Sequence, residues 1–197
     1  MLYILLFIIV LYICIDVNYV VRTFFAVLSG RFTENKCSLD DTTTVYGICT
    51  FQDCDVTFKF IRSARLLRDL DFARYHFYDR TGIFQRSQDL KIKSLQGCTL
   101  ILIADPVPLF SFYKINTKLV YWDNRSLFLE HEVITLRDGK LRAFLVSRQH
   151  GIGQNGESIE ALLSGLAGFQ NIKPCPDYIR HWLKSMKISS EKLRRQN

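Results

Sequence analysis

The sequence predicts an α+β fold, in which a long central helix is wrapped by an antiparallel sheet and preceded by an N-terminal membrane-anchor helix. Three observations predict it. Apolar residues recur at helical spacing between Ile61 and Gly82, four runs after Gly82 carry strand patterning, and hairpin-type turns separate the later runs. At 197 residues the chain supports one well-buried domain and a short appendage.

Met1 to Ile15 is uninterrupted apolar sequence, and a second apolar stretch, broken by Asp16, Asn18 and Arg22, runs to Leu28. A spanning helix needs roughly 17 to 25 residues, so a span has to carry Asp16 and Asn18 near one interface. A signal-anchor over residues 1–30 is the expectation. A cleaved signal peptide is the alternative, although a positive n-region and a small-residue cleavage site are missing. A buried core helix is the third reading. Arg22, Arg31 and Lys36 follow the apolar run and no cation precedes it, which places the main domain in the cytosol.

Residues 31–41 read as a polar linker, and Thr42 to Phe51, rich in Thr, Val, Tyr and Ile, as a first strand. In the helix, Leu66, Leu70, Ala73 and Phe77 share one face, while Arg65, Arg68, Asp69 and Arg74 fall largely elsewhere and read as a solvated face. Arg65 with Asp69 and Asp71 with Arg74 are helical ion pairs. Gly82 supplies the stop. Strands are expected over Cys98–Ala104, Phe112–Trp122, Ser126–Leu136 and Lys140–Gln149. The turns Asp123-Asn124-Arg125 and Arg137-Asp138-Gly139 separate the last three. The domain is read as residues 42–173. Residues 174–197 form a helix with Tyr178, Ile179, Trp182, Leu183 and Met186 on one face, followed by a basic tail that could meet anionic lipid.

A formal net charge of +7 favours acidic partners, including a membrane surface or a phosphorylated carrier such as coenzyme A. No basic stripe interleaved with exposed aromatics is present, so nucleic acid is not an expected partner. Five cysteines lie outside the anchor, an odd number that suits a reducing compartment. The sequon Asn124-Arg125-Ser126 keeps a secreted or lumenal placement as the alternative. The four histidines lack metal-ligand spacing and Cys49 with Cys54 lacks a second pair, so no metal and no cofactor are expected. Gly151-Ile152-Gly153-Gln154-Asn155-Gly156 matches a dinucleotide fingerprint, but too little chain follows to complete that unit, and it reads as a Gly-rich loop. No Gly-x-Ser-x-Gly elbow occurs.

Several separated segments resemble one family in the right order. They are Ile15 to Arg22, the run Ser63-Ala64-Arg65-Leu66-Leu67-Arg68-Asp69-Leu70-Asp71-Phe72-Ala73-Arg74, the turns at Tyr121–Arg125 and Thr135–Gly139, and Ser147-Arg148-Gln149-His150. Together they resemble the hot-dog-fold acyl thioesterases, specifically the membrane-anchored branch called thioesterase superfamily member six. The resemblance implies a hot-dog fold, an acyl-CoA or other acyl ligand, and an endoplasmic-reticulum membrane with the main domain cytosolic. A homodimer is expected because an isolated sheet of this kind leaves an edge and an apolar face uncovered.

Thioester hydrolysis needs a carboxylate acting directly or through water, and donors for the oxyanion. The N–H groups at a helix N-terminus can supply the donors. By the resemblance, Asp53 and Asp55 are the candidate catalytic acids, and Arg62, Ser63 and Ala64 at the helix start the candidate substrate-binding residues. Where the family pattern has His-Met-Asn-Asn, this chain has Phe60-Ile61-Arg62-Ser63. Phe60 and Ile61 offer no side-chain hydrogen bond, which weakens or removes catalysis. Two functions follow as expectations: a membrane-anchored acyl-CoA thioesterase, or a non-catalytic protein that binds an acyl chain or membrane lipid, or serves as a scaffold.

Overall fold

The computed structural model describes residues 17–153, 158–171 and 174–194, together with Tyr3 and Tyr12. Most of Met1 to Ile15, the second half of the Gly-rich hexapeptide and the end of the basic tail lie outside them. In chain order the elements are α1 (Val17–Thr33), β1 (Thr43–Ile48), a 3₁₀ turn (Phe51–Asp53), α2 (Ser63–Thr81), α3 (Ile83–Asp89) and β2 (Lys93–Ile103). They continue with β3 (Phe112–Trp122), β4 (Ser126–Thr135), β5 (Leu141–Ile152), α4 (Ile159–Leu163) and α5 (Asp177–Arg194). The sheet order is β1-β3-β4-β5-β2, antiparallel throughout.

The helical face read from spacing is the face that packs. Leu66, Leu70, Ala73 and Phe77 are buried, and the helix stops at Gly82, whose φ of 84° is left-handed backbone that glycine adopts without a Cβ clash. On β4, Leu127, Leu129 and Val133 join clusters that include α2, while Phe128 of the same strand and Val146 of β5 pack with Ile179, Trp182 and Leu183 of α5. Helices on both faces bury β4 almost throughout, so its alternation is weaker than that of β3.

The solvated reading of α2's charges is corrected for two residues. Arg65 and Asp69 are 7% and 4% exposed, because α1 and β1 cover that flank of the helix. The segment read as a linker is packed too. Leu39 is buried, its N–H donates to the Ala167 carbonyl, and the Cys37 N–H donates to Arg80. The first strand ends at Ile48, short of Phe51, which enters the 3₁₀ turn. The expected strand from Cys98 starts earlier, at Lys93, and crosses an irregularity between Gln96 and Cys98. Helix after the Gly-rich loop is confined to Ile159–Leu163.

From Val17 onward, the segment expected as anchor forms α1 and lies along α2. Tyr19 stacks at a tilt on Phe72, ring centres 5.3 Å apart, Arg68 sits 4.9 Å above the Tyr19 ring, and Arg31 grips Asp79 through Nε and Nη2. Rising residue numbers track each other along the two helices, so they run parallel. Among the described residues no helix is long and apolar enough to cross a membrane.

Candidate active site

The chain from Cys49 to Arg62 sets up the start of α2. After the 3₁₀ turn, residues 54–61 form a tight loop closed by a Cys54–Ile61 bridge and by the Asp55 N–H donating to Phe60. This loop docks on the segment after β2: the Ile61 N–H donates to Val107, and the Leu109 N–H to Lys59. The Arg62 N–H donates to the Asp53 carbonyl, so the 3₁₀ turn holds the first residues of α2 from behind.

The five residues singled out by sequence have separate roles in space. Asp53 is 1% exposed. Its Oδ2 accepts the Thr50 N–H at 2.9 Å and hydroxyl at 2.7 Å, its Oδ1 meets Arg65 Nε at 2.9 Å, and Arg22 approaches to 3.7 Å. Two hydrogen bonds from Thr50 and two cations therefore hold this buried carboxylate. Asp55 is half-buried and turned outward; Oδ1 accepts the Thr57 hydroxyl at 2.7 Å and N–H at 3.1 Å. The Thr57 hydroxyl, aided by loop amides, holds its carboxyl below the usual aspartate value. Arg62 is the residue before the first turn of α2; its side chain does not cap the helix, and Nη2 donates instead to the Gln52 carbonyl at 2.7 Å. Ser63 and Ala64 are exposed in the first turn.

Sequence reasoning missed what surrounds these residues. Beside Ser63 lies a cavity of about 250 Å³ walled by Ile61, Leu66, Pro106 and Val107, and lined also by Asp105 and Arg142. Arg142 binds Asp105, Asp138 at 2.5 Å and the Thr135 hydroxyl at 3.0 Å. Asp105, just past the end of β2, comes near Ser63 because β2 runs back alongside α2. Deeper along α2, Arg65 bridges Asp53 to Asp69, its Nη2 2.9 Å from Asp69 Oδ1, and the Tyr113 hydroxyl donates to Asp69 Oδ2. Burial raises the Asp69 carboxyl, partly offset by Arg65, and pushes the Tyr113 phenol up as well. Asp69 and Tyr113 line a cavity of about 540 Å³ between α1, β1 and α2, as do Phe25, Phe72 and His76. Gly47 makes room for Tyr113, because a Cβ there would stand 2.6 Å from its ring. Among the described residues no group of three or more acids, histidines or cysteines could hold a metal ion.

A curled antiparallel sheet of order β1-β3-β4-β5-β2 around one long helix defines the hot-dog class. The family model described as thioesterase-like superfamily matches residues 49–183. The chain is 40% identical to Protein THEM6 of Drosophila melanogaster, covering 94% of this chain and 95% of that one. It is 30% identical to Protein THEM6 of Xenopus laevis, covering 93% and 87%. Among solved structures, the probable thioesterase YbaW of Escherichia coli superimposes with a TM-score of 0.55 at 18% identity, over 59% of this chain and 90% of that one. SAV2348 of Staphylococcus aureus, solved in complex with CoA, gives 0.54 at 13% identity over 72% and 92%. The chain therefore belongs to the thioesterase-like superfamily, as a member of its THEM6 family. α1 and β1 lie outside the matched segment.

Proposed function

We propose that this chain is a membrane-anchored, acyl-CoA thioesterase-like protein whose reaction, where it survives, takes place at the start of α2. The observation that carries this reading is the uncapped first turn of α2, with Ser63 and Ala64 exposed beside a cavity that Asp105 and Arg142 line. Such a turn presents N–H donors and partial positive charge to an oxyanion. Asp55 is the proposed base, acting through a water; Asp53 positions the helix start through Arg62 and Arg65. Arg62 faces the coenzyme A phosphates. The CoA bound by SAV2348 supports that ligand class.

The apolar N-terminal segment led by Met1 to Ile15 is the proposed anchor, entering the endoplasmic-reticulum membrane with the domain on the cytosolic side. A second copy adds to the free edge of β2, where Leu102 and Ile103 are exposed. The test is free coenzyme A release from short to long acyl-CoAs by the purified chain and its Asp53→Asn and Asp55→Asn variants. Turnover abolished in Asp55→Asn with the fold intact is expected. No turnover across the panel in a folded dimer rejects hydrolysis. It would favour the non-catalytic acyl- or lipid-binding reading, to which the apolar Phe60-Ile61 and the buried, paired Asp53 carboxylate already lend weight.

A further inference from the structure

The strand registers bring one end of the molecule together. β1 ends at Ile48 opposite Phe112, β2 ends at Ile103 opposite Ala143, and the β4–β5 turn returns Leu136 to Phe112, whose carbonyl accepts the Leu136 N–H. The start of α2 and the 54–61 loop lie at this same end, since Ile61 and Ser63 share a cavity with Ile103 and Ala143. Exposed large apolar side chains concentrate here. Phe51, Phe58 and Phe110 form an edge-to-face cluster, with ring centres 6.2 and 5.0 Å apart, and are 55%, 57% and 60% exposed. Val56, Phe60 and Phe112 extend the patch. Phe58 and Phe110 both have left-handed backbone, at φ 54° and 58°, a region bulky L residues rarely occupy. A soluble monomer does not ordinarily expose five phenylalanines on one surface.

We infer that this end is a membrane-docking face, which sets the Phe51–Phe58–Phe110 cluster into the interface of an anionic bilayer. Two further observations select lipid as the occupant. The first is charge: Lys59, Arg137 and Lys140 stand exposed on the loops of this end, while Asp105 and Asp138 are bound by Arg142 and Asp55 is closed on its own loop. Aromatic rings ringed by cations suit the headgroup boundary of an anionic membrane. The second is chain direction. α1 runs parallel to α2, so the fifteen apolar residues that precede it join at the end facing the same way. For this second observation the inference rests on the anchoring proposed above; the aromatic cluster and its cations stand without it. β2, the edge assigned to a second copy, is the opposite edge strand of the sheet from β1, and only its last residues, Leu102 and Ile103, reach the end that carries the aromatic cluster. With this face docked, the cavity beside Ser63 opens toward the bilayer, and an acyl chain reaches it without crossing water.

The test uses the full chain with one tryptophan added at a time, Phe58→Trp, Phe110→Trp or Gln85→Trp, the last on α3 at the far end of α2. Each protein is reconstituted in phosphatidylcholine–phosphatidylserine vesicles with and without brominated acyl chains. Bromine quenching removes most of the added emission at positions 58 and 110 and leaves that at 85 unchanged if the face is docked. A chain that floats with the vesicles but shows equal quenching at all three sites overturns the docking face and leaves the anchor standing. A chain that does not float overturns both. A blue-shifted added emission from the Phe58→Trp variant in lipid-free detergent, lost when the dimer dissociates, overturns lipid in favour of a second copy on this face.

Discussion

Asp53 turns inward and Asp55 outward, although a single cysteine separates them. Asp53 sits under α1 and against α2 with Thr50, Arg65 and Arg22 around its oxygens; Asp55 closes a loop at the surface with Thr57. The inward acid belongs to a chain of buried charges that continues through Arg65 to Asp69 and Tyr113. The outward acid belongs to a rim of exposed aromatics and cations. Buried charges are kept only where each is paired, so the first region is rigid and intolerant of change. The second carries little of the fold and is free to carry binding or chemistry.

The largest expected effect breaks the inward region. Arg65→Met leaves Asp53 and Asp69 buried without their shared cation and costs about 3–5 kcal/mol in urea unfolding; a loss no greater than that of a surface substitution would show that the ladder is not what ties α2 to the 3₁₀ turn. A comparable effect is expected from pH at the buried His131, which lies between the Thr117 and Ser147 hydroxyls. Burial drives its pKa from 6.5 down to about 3, so its contribution is complete above 6.5 and is lost as pH falls toward 3, on the order of 4 kcal/mol in all. Replacing it with glutamine flattens that part of the pH profile, and an unchanged profile would assign the loss to other groups.

Tyr113→Phe takes the donor from Asp69 Oδ2 and costs about 1–3 kcal/mol, read from the urea midpoint with the slope unchanged. The smallest effects sharpen the contrast by sign. Burial holds Asp69 above the ordinary value of 3.8, so its contribution is present below that value and lost as pH rises through the raised one. Asp55 is held below 3.8, so its contribution is present above that value and lost as pH falls through the lowered one. Asp69→Asn and Asp55→Asn therefore change the pH dependence of the urea midpoint in opposite directions; the same direction in both would erase the distinction between the two regions.

The elements were legible because their signals are local. Leu66, Leu70, Ala73 and Phe77 announce a helix face by spacing alone, and Arg137-Asp138-Gly139 announces a hairpin by turn chemistry. The environments of the charged residues were not legible. Arg65 and Asp69 lie off the apolar face of α2, which suggested solvent, and nothing in their spacing says that a second helix and an edge strand cover them. Asp105 stands just past a strand in sequence, and only the path of β2 carries it beside Ser63. The aromatic rim joins positions 51, 58, 110 and 112, distant in sequence and adjacent only through the β1–β3 register.

By itself the sequence determined the long helix, the strands that follow it in their order, and the family, since periodicity, turn chemistry and motif order are properties of neighbouring positions. Only the tertiary structure decided which carboxylates are buried and which face water, what stands beside the start of α2, and that the exposed phenylalanines gather at that end. Burial and proximity are set by what packs on each surface from elsewhere in the chain, and no local pattern carries that information.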